Sequence, residues 1–220
     1  MNIEKYRQIT QELDKYGAKL VAVSKTKPAE DIQALYNQGQ RIFGENKVQE
    51  MTAKYEQLPK DIQWHLIGHL QSNKVKYIAP YVSLIHSVDS LKLLQEIDKQ
   101  AEKNNRVIPC LLQVYIANED TKFGLSAEEV HALLGSPEYQ ALQHISIHGL
   151  MGMATNTDNE QQIEAEFASL QQLHAKVKAK YFSHADTFSQ LSMGMSSDYH
   201  LALKHGATLV RVGSMLFGER

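Results

Sequence analysis

Cysteine occurs once in the 220 residues, as Cys110. One thiol excludes an internal disulfide and fits a reducing compartment. It lies in Pro109-Cys110-Leu111-Leu112, where a buried, inert thiol is expected. Proline is scarce, at 5 residues, and tryptophan occurs once. No Pro-rich linker or low-complexity stretch divides the chain, so one domain over residues 1–220 is expected. No apolar run approaches the ~20 residues of a membrane span. The start, Met1-Asn2-Ile3-Glu4-Lys5, reads as an amphipathic helix and not a signal peptide. The expectation is a cytoplasmic protein. Charge of one sign is also missing: the net charge is −2. With no basic arm and no aromatic-basic interleaving, neither nucleic acid nor membrane is an expected partner.

What is present is an ordinary globular composition, 43% hydrophobic and 22% charged. The chain alternates short apolar runs with stretches of helical spacing. Ile3, Tyr6, Ile9, Leu13 and Tyr16 predict a helix that Gly17 stops. Strands follow at 20–25, 41–46, 62–68, 83–88, 108–116, 145–151, 187–192 and 207–212. Helices are predicted between them. Ser126 with Glu129, and Thr157 with Glu160, form capping boxes for two of these. Such alternation implies a parallel sheet with right-handed crossovers. Eight units of about 25 residues favour an α/β fold of the (β/α)8 (TIM barrel) type over an open sheet, with an extra N-terminal helix. No internal sequence repeat accompanies the structural one.

In a parallel barrel the strand exits share one rim, where ligands bind. The exits hold Lys25, Asn46, His65, Ser87, Met151, Ser192 and Arg211. Lys25 ends the buried run Leu20-Val21-Ala22-Val23-Ser24-Lys25, and period two puts Val21, Val23 and Lys25 on one face. A partly desolvated amine has a lowered pKa and attacks carbonyls. On this stretch alone a solvated lysine at a strand end is the simpler reading.

Two further stretches resemble an anion seat. Leu191-Ser192-Met193-Gly194-Met195-Ser196-Ser197-Asp198 joins the seventh strand to a helix, and Arg211-Val212-Gly213-Ser214 follows the eighth. Loops after strands seven and eight are the usual phosphate seat of this fold. Each stretch alone reads equally as a helix cap and a turn. An amine at one end and a phosphate seat at the other invite a phosphorylated carbonyl. Pyridoxal phosphate and a sugar phosphate both qualify.

Longer motifs narrow this. Val23-Ser24-Lys25-Thr26-Lys27-Pro28, Phe43-Gly44-Glu45-Asn46, Val48-Gln49-Glu50, Trp64-His65-Leu66-Ile67-Gly68, Leu70-Gln71-Ser72-Asn73-Lys74, Gly149-Leu150-Met151, Leu191 to Ser196 and Val210-Arg211-Val212-Gly213 run in order over nearly the whole chain. Together they resemble the family of pyridoxal phosphate homeostasis proteins. The resemblance implies the fold-type III barrel, similar to the N-terminal domain of alanine racemase. It implies pyridoxal 5'-phosphate as cofactor and no established catalytic activity. It also implies a part in balancing cofactor and amino-acid pools.

Position by position, Lys25 matches the lysine of the internal aldimine, and Arg211 the residue facing the pyridine nitrogen. Ser192, Met193, Gly194, Ser196, Gly213 and Ser214 match the phosphate loops. Asn46, His65, Ser87 and Met151 match residues around the ring. Lys27 and Lys122 match further lysines near the cofactor region. His69 and Lys47 fall at variable places.

An arginine at the pyridine nitrogen keeps that nitrogen unprotonated and the ring a weak electron sink. Two-sided proton transfer also needs a second acid or base. Alanine racemase draws that tyrosine from an additional C-terminal domain, and this chain ends at Arg220, directly after the eighth strand. The expectation is therefore a monomeric carrier or regulator of the cofactor, with apo-enzymes as partners. A racemase or lyase, with His65 or Tyr199 as second acid or base, is the rival. A Schiff-base aldolase is a further one. His65 and His69, four apart, have no further ligand at metal spacing, and no metal site is expected. The methionines Met151, Met153, Met193 and Met195 are expected to pack around an aromatic ring.

Overall fold

The structure is a computed structural model that describes residues 1–117 and 124–218. Helix α1 (Ile3–Lys15) precedes the first strand and buries Tyr6, Ile9 and Leu13 on one stripe. Asn2 caps it, accepting the Lys5 N–H at 2.9 Å. The strands are β1 (Lys19–Val23), β2 (Ile42–Glu45), β3 (Gln63–Leu66), β4 (Leu84–Val88), β5 (Ile108–Gln113), β6 (Ile145–Met151), β7 (Gln190–Ser192) and β8 (Leu209–Val212). They pair in parallel in sequence order, and β8 returns to β1, closing the predicted barrel.

Period two decides which side chains face which way. Phe43, Trp64, Leu66, Ile85, Leu191, Val210 and Val212 point outward into the layer shared with the helices. Val21, Leu84, Leu111, Met151 and Leu209 form a smaller cluster inside the barrel. Side chains fill both layers, as is usual for this barrel. The helices α2 (Ala29–Tyr36), α3 (Val48–Gln57), α5 (Leu91–Lys103), α6 (Ala127–Gly135) and α8 (Glu160–Tyr181) cover the outside. Shorter α4 (Val75–Ile78), α7 (Pro137–Gln140), α9 (Tyr199–Lys204) and α10 (Ser214–Phe217) complete the order. Cys110 is fully buried, and burial pushes its thiol far up. Among the described residues no helix is long and apolar enough to cross a membrane.

Several boundaries differ from the sequence expectation. The expected strands at 20–25 and 108–116 stop at Val23 and Gln113. One more backbone bond follows each, Ser24 N–H to the Gly44 carbonyl at 3.0 Å and Val114 N–H to the Met151 carbonyl at 2.8 Å, before the chain turns to build the rim. The Ser126–Glu129 capping box forms, but the one expected at Thr157 does not. Asn159 caps α8 instead, accepting the Gln162 N–H, and the Thr157 hydroxyl accepts the Asn159 N–H. Both residues are good caps, and the chain turns two residues later than expected. At one place the sheet demands glycine. Gly149 has φ +153°, and a Cβ there would stand 1.7 Å from the Gln190 carbonyl oxygen.

Candidate functional site

A cavity of about 620 Å³ opens at the carboxyl ends of the strands. That volume suits a cofactor-sized ligand. Val23, Ile67, Gln113 and Arg211 reach it from the strand ends, and Lys25, Asn46, Met153 and Met195 from the loops above.

Lys25 stands two residues past β1, half-buried, in a tight turn. The Ser24 carbonyl accepts the Lys27 N–H at 3.0 Å, and Thr26 at the corner has φ +65°. Ser24 N–H stays bonded to the Gly44 carbonyl at 3.0 Å, so the strand continues to the foot of the turn. Val21 inside the barrel, Val23 on the cavity and Lys25 above it keep the row that period two predicts.

Arg211 comes inward from β8, between outward Val210 and Val212, and is buried at the floor of the cavity. Its guanidinium donates to the Ser192 hydroxyl at 2.6 Å and to the Gly152 carbonyl at 3.0 Å. Burial pulls its pKa down to about 10, with Asp198 acting in the opposite sense. It therefore remains a cation at neutral pH. Behind it runs a buried polar chain. Ser192 Oγ meets His86 Nδ1 at 2.9 Å, and His86 Nε2 meets His65 Nδ1 at 2.9 Å. The Ser192 hydroxyl accepts from the arginine, and either tautomer order of the two imidazoles completes the chain without a further proton. Both rings are then neutral. Burial, with Lys19, takes the His65 pKa to about 3, and burial, with His65 and Arg211, holds His86 well below the usual range.

The loops after β7 and β8 meet at the cavity. Gly194, at φ +89°, turns the first, and its carbonyl accepts the Arg211 N–H at 3.0 Å. A Cβ at Gly194 would lie 2.7 Å from that of Ala202, so only glycine lets this loop approach α9. Asp198, buried, accepts the Met195 N–H at 2.6 Å and shapes the same loop. Burial raises its carboxyl above the usual range. Ser196 Oγ accepts the Gly213 N–H at 3.4 Å, which links the two loops. Ser196, Ser197, Gly213 and Ser214 all line the cavity.

Of the residues expected at the site, Lys25, Asn46, Ser196, Arg211, Gly213 and Ser214 line this cavity, as does Lys27. Lys27 Nζ donates to the Gly218 carbonyl at 3.1 Å. The others do not line it. His65 and Ser192 belong to the buried chain beneath Arg211. Ser87 donates to the Gly68 carbonyl at 2.6 Å and braces that loop. Met151 packs inside the barrel, Met193 packs in the outer layer, and Gly194 acts through its backbone. Lys122 lies outside the described residues. Tyr199, named with His65 as a second acid or base, does not line the cavity either. Its hydroxyl donates to Glu12 at 2.8 Å, and burial lifts its pKa to about 12. His69 does line the cavity, exposed beside Asp89 at 3.5 Å.

The comparisons with known proteins agree with this architecture. Residues 2–220 match the family model for the alanine racemase N-terminal domain. The solved alanine racemase of Bartonella henselae shares that fold, with a TM-score of 0.70 at 18% identity over 98% of this chain and 57% of its own. The pyridoxal phosphate homeostasis protein of Aquifex aeolicus is 42% identical over 92% of this chain and 87% of its own length. PipY of Synechococcus elongatus, solved with PLP bound, is 37% identical with a TM-score of 0.87, covering 98% of this chain and 99% of its own. Within the alanine racemase N-terminal domain class, the chain belongs to the family of pyridoxal phosphate homeostasis proteins.

Sequence reasoning missed His86, whose only signal is its inward place in Leu84-Ile85-His86. It also missed the charged cluster of Glu45, Glu50 and Lys54 behind the Lys25 turn. Glu45 and Glu50 fall inside the motifs of the resemblance, but nothing local marks them as paired with Lys54.

Proposed function

We propose that the cavity binds pyridoxal phosphate, and that the chain holds and hands on this cofactor instead of turning over a substrate. The donor set fits the group. Lys25 would supply the amine for the aldehyde. Ser196, Ser214 and the Gly213 loop would seat the phosphate, and Arg211 would hold the ring nitrogen. Asn46, Met153 and Met195 line the same cavity and would pack beside the ring. The PLP-bound structure of PipY, a relative that covers 98% of this chain, supports the reading.

The observation that carries the choice of carrier over enzyme is the pinned, buried Arg211. When bound, the cofactor supplies an electron-withdrawing ring. A guanidinium held by Ser192 and Gly152 would offer the ring nitrogen only N–H donors and would leave it without a proton. Electron withdrawal is then weak. The acid and base an enzyme would need are also poorly supplied, because His65 is tied to His86 below the floor and Tyr199 turns to Glu12. In this reading the protein works in the cytoplasm as a one-domain monomer, and PLP-dependent apo-enzymes are the recipients.

Borohydride reduction of the pyridoxal phosphate complex, followed by peptide mapping, should place the adduct on Lys25. An adduct wholly on Lys27 or Lys122 refutes that assignment. Incubation with amino acids in deuterated water should give α-proton exchange near background. Rapid exchange that disappears in Lys25→Ala would make the protein an enzyme, with His69 as the next residue to test.

A further inference from the structure

Behind the Lys25 turn lies a charged cluster that does not touch the cavity. Lys54 of α3 is buried, and its ammonium has three N–H donors. One goes to the Ser24 carbonyl at 2.8 Å, one to Glu45 Oε1 at 2.7 Å and one to Glu50 Oε1 at 2.7 Å. Both carboxylates reach the turn as well. The Ser24 hydroxyl donates to Glu45 Oε1 at 2.6 Å, and the Thr26 N–H donates to Glu50 Oε1 at 2.5 Å. A single ammonium thus ties down the residue before Lys25 and, through Glu50, the residue after it.

The turn needs such a tie. Thr26 is β-branched, yet its φ is +65°. Residues of this kind keep a left-handed backbone only where their surroundings over-determine it. The cluster is itself costly to bury. Glu45 is fully enclosed and its Oε2 has no hydrogen-bond partner. Buried ion pairs are a poor source of stability but a good source of fixed geometry. Deleting Lys54 would leave two carboxylates facing each other across the foot of the turn.

We propose that Lys54, with Glu45 and Glu50, is the positioning device that holds the strained Lys25–Thr26–Lys27 turn in the form that presents the Lys25 amine to a bound aldehyde. This rests on the reading of Lys25 given above. The cluster acts through the turn and touches no ligand.

Two ligands separate positioning from general damage. Pyridoxal phosphate carries an aldehyde. Pyridoxine phosphate has the same ring and phosphate with an alcohol in its place. Lys54→Met should raise the apparent Kd for pyridoxal phosphate about tenfold, as for a turn whose competent population falls to roughly a tenth. Its visible absorption and borohydride-trapped yield should fall in parallel. Affinity for pyridoxine phosphate should stay within about twofold, because it does not depend on that population. Glu50→Ala, at a partly exposed position, should give the same selective loss, and it serves if Lys54→Met does not fold. Adding Thr26→Gly to either variant should restore adduct formation, since glycine adopts this conformation freely. An equal loss for both ligands, or no loss for either in a folded variant, overturns the positioning role. If the wild-type protein itself forms no adduct, the Lys25 reading fails and takes this proposal with it.

Discussion

Mild acid should weaken this barrel from the inside. His65 and His86 are enclosed, hydrogen-bonded to each other, and face two cations, Lys19 and Arg211. Their folded pKa values lie far below the ~6.5 of an unfolded histidine. The unfolded chain therefore takes up these protons first, and stability falls as pH drops below about 6.5. Between pH 7.5 and 5.5 each ring costs about 1.4 kcal/mol, or about 3 kcal/mol for the pair. This figure does not depend on the folded values, provided they stay below about 4.5. For a chain of this length the loss corresponds to about 6–12 °C in Tm. The assay is urea unfolding at pH 7.5, 6.5 and 5.5, on wild type and on the double variant His65→Gln/His86→Gln. Only the difference between the two slopes matters. His148 and His174, also held down by burial, and the raised carboxyls of Glu45 and Asp198 titrate in both proteins and cancel. Identical slopes would mean that a ring already carries its proton at neutral pH. The neutral state of both buried rings would then be wrong.

The remaining predictions concern the phosphate seat and the sheet. Ser196→Ala/Ser214→Ala should weaken pyridoxal phosphate binding by about 1.5–3 kcal/mol for each hydroxyl lost, with an unchanged melting curve; titration showing unaltered affinity would leave these serines as turn residues. Gly149→Ala should destabilise the barrel by about 2–4 kcal/mol, because the new methyl must push the β7 backbone away at Gln190. A chemical denaturation midpoint equal to that of wild type would show that β6 and β7 separate more readily than their 1.7 Å conflict implies.

The barrel itself was legible in the order of residues. Apolar alternation and helical spacing are local properties, and each strand and each crossover helix carries its own signal within a few positions. Lys25 at the end of β1, and the two loops with Gly194 and Gly213, were legible for the same reason. Each is a short stretch at a place where this fold gathers ligands. What was not legible is pairing across the closed sheet. His86 and Ser192 are 106 positions apart, and nothing near either one announces the other. Only closure of β8 onto β1 brings Arg211, Ser192, His86 and His65 into one chain of hydrogen bonds. Exits that look equivalent in sequence also separate in depth. Asn46 stands on the cavity, while Ser87 and Met151 turn into the wall and the barrel interior, because the strands tilt and end at different heights. The same holds for Lys54. Its helix reads as a surface element, and only packing of α3 over β2 buries that ammonium between two carboxylates at the foot of the Lys25 turn. Local sequence determined the elements and their order. Three-dimensional closure decided which polar groups share a proton, which face the cavity and which hold its walls.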